Sequence, residues 1–443
     1  MRPLHKLKLS SFQVILLGFA SVILIGAFLL MLPISSKEGV VTPFSDALFT
    51  STSAVCVTGL IVQDTATYWS YFGQAVILIL IQIGGLGVVT VAASVSLLAG
   101  KKIGLGQRST MQEAMSAPNV GGIVRLTWFI LKGVLIIEVI GMLAMLPVFC
   151  IDHGVKGIWM AVFHSISAFC NAGFDVMGEV SGQYSSLTAY AAHPVISIVI
   201  MLLIIIGGIG FLTWEDVYRY KWRIKKYRTQ SKIILVMTAI LIVVPTLYFF
   251  FCEFEEYAMG ERILLSLFQA VTPRTAGFNT ANLGLISEVG LLLMMFLMVV
   301  GGAPGSTAGG MKTTTLTVLF SSAFSVFRRK ENAELHKRRI DDNTVKHASA
   351  ICLLYIVLFL LGGAVISAVE GLPLMTCLYE TASAIGTVGL SLGITPSLGT
   401  VSQIILIALM FFGRVGGLTL IYATFGGTKK NISKLPIDKV TVG

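Results

Sequence analysis

Four short stretches of the chain combine residue types able to hold a cation stripped of its water. Residues 49–60 read Phe49-Thr50-Ser51-Thr52-Ser53-Ala54-Val55-Cys56-Val57-Thr58-Gly59-Leu60. The same frame recurs without a gap at 163–174 and 379–390, and one residue shorter at 268–278. Its glycines, Gly59, Gly173, Gly277 and Gly389, lie 114, 104 and 112 residues apart, which makes a fourfold internal repeat. A monovalent cation sheds its hydration shell only where oxygens replace it at close range. Backbone carbonyls do this without a fixed full charge that would trap the ion. Glycine permits the backbone conformation that turns carbonyls inward and leaves the axis clear of side chains. The candidate lining is therefore Cys56, Val57, Thr58 and Gly59; Cys170, Asn171, Ala172 and Gly173; Arg274, Thr275, Ala276 and Gly277; and Gly386, Thr387, Val388 and Gly389.

Such turns need a scaffold. The chain has 443 residues, 55% hydrophobic and 12% charged, against roughly 25% charged in soluble domains. It reads as a polytopic membrane protein. Apolar runs near the roughly 20 residues needed to cross a bilayer occupy 12–32, 74–98, 127–150, 194–212, 233–252, 349–369 and 401–425. An eighth, 289–327, is interrupted by Gly301, Gly302, Ala303, Pro304, Gly305, Ser306, Thr307, Ala308, Gly309 and Gly310. The first run exceeds a signal-peptide core of roughly 7–15 residues and lacks a small-x-small cleavage site, so it is read as the first span. Each glycine turn follows a shorter apolar stretch, at 43–54, 157–169, 261–271 and 373–385. About 12 residues of helix cover half a membrane. The expected fold is all-α, with four span–pore-helix–filter–span repeats, eight crossings and four re-entrant half-helices around one pseudo-fourfold pore. The repeats run 1–105, 106–228, 229–340 and 341–443, the last with a cytoplasmic tail. Non-helical backbone at membrane depth survives when buried in protein or facing water, and four turns on one axis would cover one another. The half-helices would aim their partly negative C-terminal ends at the waiting cation.

A net charge of +10 could suggest nucleic acid, but its distribution argues otherwise. Lys37, Lys156, Arg262 and Arg274 are the basic residues in the connections expected outside. The dense clusters, Arg2/Lys6/Lys8, 101–125, 219–232, 328–346 and 429–439, alternate with them. That positive-inside pattern puts both termini in the cytoplasm of a plasma-membrane protein that binds no nucleic acid. The cytoplasmic cluster from Arg219 to Arg228 lacks the every-third-residue charge of a voltage sensor and suits acidic lipid or a partner. The six cysteines show no CxxC spacing and imply neither a disulfide framework nor zinc.

The second span of each repeat carries a glycine signature: Gly84-Gly85-Leu86-Gly87, Gly207-Gly208-Ile209-Gly210, the interrupted 301–310, and Gly413-Arg414-Val415-Gly416-Gly417. Close helix packing accounts for most of them. Arg414, deep in an apolar run, costs roughly 2.5–3.5 kcal/mol on insertion scales unless it meets water or a partner, so a functional role is expected. Lys312 either snorkels to the cytoplasmic surface or serves the pore. Gly305 to Thr313 imitates a phosphate-binding loop, but Met311 interrupts the motif and no strand precedes it. The glycine-rich 301–310 cannot form a rigid helix and should move easily. His164, Asn171 and Glu380 are expected to hydrogen-bond behind the filter rather than touch ions. Arg274 should support the filter too, with Glu380 as a candidate partner.

Val57-Thr58-Gly59-Leu60, Asn171-Ala172-Gly173-Phe174, Thr272-Pro273-Arg274-Thr275-Ala276-Gly277-Phe278-Asn279 and Thr387-Val388-Gly389-Leu390 closely resemble the filters of the Trk/Ktr/HKT superfamily of potassium transporters. The resemblance covers nearly the whole chain, and the short segment before the first span is similar to that of the Ktr-type (KtrB-like) membrane subunit. It implies potassium at the filter residues, because all four glycines are present. It also implies an intramembrane gate at Gly301–Gly310 with Lys312 beside it, and an electrostatic barrier at Arg414. It further implies a homodimer on a cytosolic RCK-type (KtrA-like) nucleotide-binding ring, with K+ as the transported ion, Na+ as activator or co-ion, and no organic cofactor in this chain.

Two other classes compete. An alternating-access secondary cation transporter, sodium- or proton-coupled, would expect inverted repeats and mid-membrane acids, whereas these repeats are parallel and the spans nearly free of carboxylates. A membrane-embedded enzyme would need converging titratable groups at depth, and the sequence offers none.

Overall fold

The computed structural model describes residues 10–100, 103–117, 119–335 and 338–425. Arg2, Lys6, Lys8, Lys101 and the basic tail at 429–439 lie outside the described residues. Sixteen of the seventeen α-helices among these residues fall into four sets of four. The first set is α1 (Ser11–Leu30), α2 (Phe44–Val55), α3 (Tyr71–Leu86) and α4 (Val88–Leu98), and α5 (Leu105–Ala114) follows it. The second is α6 (Ile123–His153), α7 (Lys156–Phe169), α8 (Pro194–Gly208) and α9 (Phe211–Tyr220). The third is α10 (Thr229–Cys252), α11 (Met259–Val271), α12 (Glu288–Val299) and α13 (Thr313–Phe327). The fourth is α14 (Asp342–Glu370), α15 (Leu374–Gly386), α16 (Thr400–Val415) and α17 (Gly417–Phe425).

The first member of each set, α1, α6, α10 or α14, is long and apolar enough to cross a membrane, with a mean hydropathy of 2.5 to 2.6. These helices turn large apolar side chains outward, among them Phe28, Leu135, Val244 and Leu353. That inverted surface suits lipid rather than water. The short second helices are buried over their C-terminal halves and rich in hydroxyls: Thr50, Ser51, Thr52, Ser53, Ser165, Ser167, Thr381 and Ser383 are all at most 1% exposed. Several hydroxyls bind them to their own long helix. Ser51 donates to the Ile23 carbonyl at 2.7 Å, Ser165 to Glu138 at 2.6 Å and Thr381 to Phe359 at 3.1 Å. Nearby, a Cβ on Gly26 would sit 2.4 Å from Ser51 Oγ, and one on Gly141 2.7 Å from Ser165 Oγ. Small residues let the backbones approach, as in membrane helix pairs generally.

The second spans depart from the sequence expectation. Runs 74–98, 194–212 and 401–425 were expected as unbroken helices, with 289–327 the exception, but all four are interrupted. The α3–α4 pair bends by 96° and the α8–α9 pair by 97°. The breaks fall at Gly87, Gly210 and Gly416, whose φ values of +86°, +89° and +89° end a right-handed helix and favour glycine. In each of these three sets the glycine signature therefore does two things. Its first glycine packs against the preceding short helix: a Cβ on Gly84, Gly207 or Gly413 would lie 2.0, 2.1 or 2.1 Å from the carbonyl oxygen of Val55, Phe169 or Ile385. Its last glycine in the first two sets, and Gly416 in the fourth, breaks the helix. Among the described residues, four helices can cross alone by length and composition, and up to six crossings result if each of the two bent pairs counts as one.

The sets also interlock in sequence order. Helix α3 packs on α7, α8 on α11, α12 on α15, and α16 returns to α2.

Candidate cation site

Each short helix leads into a short stretch of irregular backbone, here called a filter strand, with the same signature in all four sets. Val57, Asn171, Thr275 and Thr387 have φ of +57°, +59°, +69° and +52°, and the glycines two residues later have +94°, +70°, +82° and +96°. A β-branched residue at positive φ is strained, so three of these four positions persist only because their surroundings hold them. Part of that hold is a hydroxyl on the short helix. Gly59 N donates to Ser53 Oγ and Gly389 N to Ser383 Oγ, both at 3.0 Å. Ser167 Oγ donates to the Phe174 carbonyl at 2.7 Å and Thr272 Oγ1 to the Phe278 carbonyl at 2.5 Å. Residue types alone do not reveal this tie. Its signal was in the aligned repeats: a hydroxyl residue stands six places before each glycine, or five in the shortened third copy.

The four strands meet. A Cβ on Gly59 would lie 2.5 Å from the Ala172 carbonyl oxygen and 3.1 Å from Gly173 Cα. One on Gly173 would lie 2.7 Å from Ala276 O and 2.8 Å from Gly277 Cα. One on Gly277 would lie 2.2 Å from Val388 O, and one on Gly389 2.2 Å from Thr58 O and 2.9 Å from Gly59 Cα. The circuit closes through four sets distant in sequence. It leaves no room for a side chain at any of the four glycines.

On one side of this constriction lies a cavity of about 190 Å3, bounded by the four glycines and by Asp175, Asn279 and Ser391. Burial raises the Asp175 carboxyl to about 6; a hydrogen bond from the Met177 N–H opposes the rise, and the Asp64 carboxylate adds to it. Glu380 accepts from Ser391 Oγ at 2.5 Å, Leu392 N at 3.2 Å and Thr395 Oγ1 at 2.9 Å, and so braces the rim from behind. Arg274 does not reach it. Its guanidinium turns away to Thr238 Oγ1 at 3.5 Å, so the expected Arg274–Glu380 pair is not formed. His164 bonds back to the Met160 carbonyl at 2.8 Å and stacks on Phe149. Asn171 reaches across to Thr275 Oγ1 at 3.4 Å. Gly386 still belongs to α15, so the fourth strand begins at Thr387. Cys56 is buried, and Cys170 Sγ donates to Gln82 Oε1 at 3.4 Å. Gln82 in turn donates to Glu138 Oε1 at 3.0 Å. Glu138, a single acid within the apolar run of α6, is a group that the sequence reading passed over.

On the other side of the constriction, against Thr387, runs the loop between α12 and α13. It is not the loosely held segment that its glycines suggested. Ala303 N and Thr307 N donate to the Gly208 and Gly207 carbonyls at 2.9 and 3.2 Å, and Phe211 N donates to the Gly305 carbonyl at 2.8 Å. Gly310 N donates to the Gly413 carbonyl at 3.2 Å. The broken ends of α8 and α16 leave carbonyls without helical partners, and the loop supplies their donors. Thr307 Oγ1 donates to the Phe169 carbonyl at 3.1 Å and to Asn171 Oδ1 at 3.0 Å. A Cβ on Gly309 would strike Thr387 Oγ1 at 2.0 Å. Arg414 clasps the loop from the side, donating to the Thr307 carbonyl and to Gly84 O and Gly85 O at 2.5 and 3.0 Å. Lys312 folds onto the loop's own carbonyls, Ala308 O at 2.8 Å and Gly309 O at 3.2 Å. Below is a cavity of about 290 Å3 whose walls include Gly305, Ser306, Lys312, Tyr355 and Arg414.

Residues 9–426 match the family of cation transport proteins named TrkH. The chain belongs to that family. It is 39% identical over 426 residues to the potassium/sodium uptake protein NtpJ of Enterococcus hirae, covering 94% of this chain and 93% of that one. It is 37% identical over 440 residues to the Ktr system potassium uptake protein B of Bacillus subtilis, covering 97% and 96%. The crystal structure of the potassium transporter TrkH from Vibrio parahaemolyticus shares the fold, with a TM-score of 0.73 at 20% identity over 95% of this chain and 86% of that one. This TrkH-family chain is thus a Trk/Ktr-type membrane subunit and a transporter rather than an enzyme. The strands and the loop described above all lie within the matched residues.

Proposed function

We propose that this chain carries potassium into the cell through the constriction formed by 56–59, 170–173, 274–277 and 386–389, where main-chain oxygens replace the ion's water. The observation that carries this reading is the closed circuit of glycines and carbonyls. The names of two relatives, a potassium/sodium uptake protein and a potassium uptake protein, support potassium as an ion carried. Each of the four sets, at 1–105, 106–228, 229–340 and 341–443, supplies one re-entrant half-helix. Each second span, with its break, completes a crossing, which gives eight around one pseudo-fourfold axis with both termini in the cytoplasm. The loop 301–312 gates the inner side, with Arg414 as latch and barrier. Two such chains form a dimer on a cytosolic RCK-type nucleotide-binding ring, a partner suggested by the designation of the Bacillus relative as part of a Ktr system. Sodium acts as activator or co-ion.

Gly59→Ser tests the filter. The new Cβ starts 2.5 Å from a carbonyl oxygen, so it must displace the circuit. Potassium and sodium uptake compared in the same vesicles should show the preference for potassium lost. An unchanged ratio would remove the filter from this position.

A further inference from the structure

Helix α9 leaves α8 at 97°. On the orientation proposed above, that lays it along the cytoplasmic surface of the membrane at headgroup depth. Its near end is buried through Phe211, Leu212, Thr213 and Trp214, whereas Tyr218 is 75% and Trp222 95% exposed. Around these two aromatics stand Arg219, Lys221, Arg223, Lys225 and Lys226. An exposed tryptophan ringed by cations is favoured where a bilayer meets water, with the ring among the headgroups and the charges toward anionic lipid.

Beside it is a cavity of about 450 Å3 between α9 and the start of α6. Phe129 and Tyr218, with ring centroids 5.5 Å apart, form an apolar wall, and the first turn of α6 contributes Gly122 and Ile123. Three arginines reach the cavity. Arg228 is offset by Glu215 at 2.6 Å and Asp216 at 3.6 Å. Arg125 and Arg219 have no acidic partner among the described residues. Two guanidinium groups without acidic partners, set beside the positive end of a helix dipole at the start of α6, match a phosphate. An aromatic wall at membrane level matches the glycerol and upper acyl chain attached to it. A soluble anion would use the charges but gain nothing from that wall or from Trp222. We propose that this groove binds the headgroup phosphate of an anionic phospholipid from the cytoplasmic leaflet, with Arg125 and Arg219 as its ligands.

The test is native mass spectrometry of the purified full chain titrated with phosphatidylglycerol, phosphatidylcholine or inorganic phosphate. Phosphatidylglycerol should be retained over phosphatidylcholine. Arg125→Gln with Arg219→Gln should weaken that retention by about 25-fold, roughly fivefold per basic group near a lipid surface. Arg125→Lys with Arg219→Lys should keep most of it. Equal retention of the two lipids, or a double glutamine variant that binds like wild type, would overturn the proposal. So would displacement of the lipid by millimolar phosphate, which would make this a soluble-anion site. Arginine-dependent binding of the cytosolic partner without any lipid preference would assign the groove to protein instead. Rubidium uptake in phosphatidylcholine vesicles, measured in parallel, tests the transport reading by itself. A Trp222→Cys variant labelled from outside by a reagent that does not cross membranes would reverse the orientation and sink the cytoplasmic-leaflet assignment.

Discussion

Truncating Arg414 to alanine gives the sharpest test of the gate. The guanidinium makes one hydrogen bond to the loop, at the Thr307 carbonyl, and two to the end of α3, at Gly84 and Gly85. A hydrogen bond from a charged donor contributes about 1.5–3 kcal/mol. Counting the loop contact alone at the lower figure, the balance between closed and open loop shifts about tenfold toward open. The loop would still close most of the time, because its backbone bonds to Gly207, Gly208, Phe211 and Gly413 remain. Rubidium influx into vesicles holding the purified chain without a partner should therefore rise about tenfold without saturating. Arg414→Lys should fall between, since an ammonium can hold one of the two sides but lacks the planar fork that spans both. Unchanged or reduced influx in Arg414→Ala, with the melting temperature intact, would refute the latch.

Three further outcomes follow from the geometry. Asp175 is ionised above about pH 6 and gains a proton as the outside pH falls through that value, so the half-saturating potassium concentration should rise across that window; in Asp175→Asn the curve should be flat. Ser383→Ala leaves the half-buried Gly389 N–H without that acceptor, an effect of about 1 kcal/mol, and should lower the potassium-to-sodium uptake ratio, whereas Ser383→Thr should preserve it. Gly413→Ala puts a methyl 2.1 Å from the Ile385 carbonyl oxygen and should destabilise the protein by about 1–3 kcal/mol in a thermal melt, whereas Gly260→Ala, with nothing within 4 Å, should not.

The repeat was legible because it is written in one dimension. Equal spacing of Gly59, Gly173 and Gly389 from their aromatics needs no coordinates, and neither does the apolar length of α1, α6, α10 and α14. The serines behind the strands were equally available, since Ser53, Ser167 and Ser383 share one register. They were missed because a hydroxyl on an apolar helix has many uses, and its acceptor lies on a backbone that has not yet turned. The helix breaks at Gly87, Gly210 and Gly416 were hidden for a related reason. A glycine in an apolar run can pack closely or take positive φ, and composition does not separate the two.

The partners of the charged groups were the least legible. Arg274 and Glu380 both sit near the filter in sequence, yet one turns to α10 and the other to the outer rim. Arg414 was flagged by its cost in an apolar span, but its acceptors at Thr307 and Gly84 are 107 and 330 residues away.

The sequence by itself determined that the chain lives in a membrane, that it repeats four times, and that each copy carries a glycine where a backbone must turn. Those are properties of local composition and period. The tertiary structure alone decided that the four turns meet, that the glycine-rich loop is pinned rather than loose, and that Arg414 holds it. Such facts depend on which unpaired carbonyl finds which donor across the fold, and segments hundreds of residues apart settle that only when they are packed together.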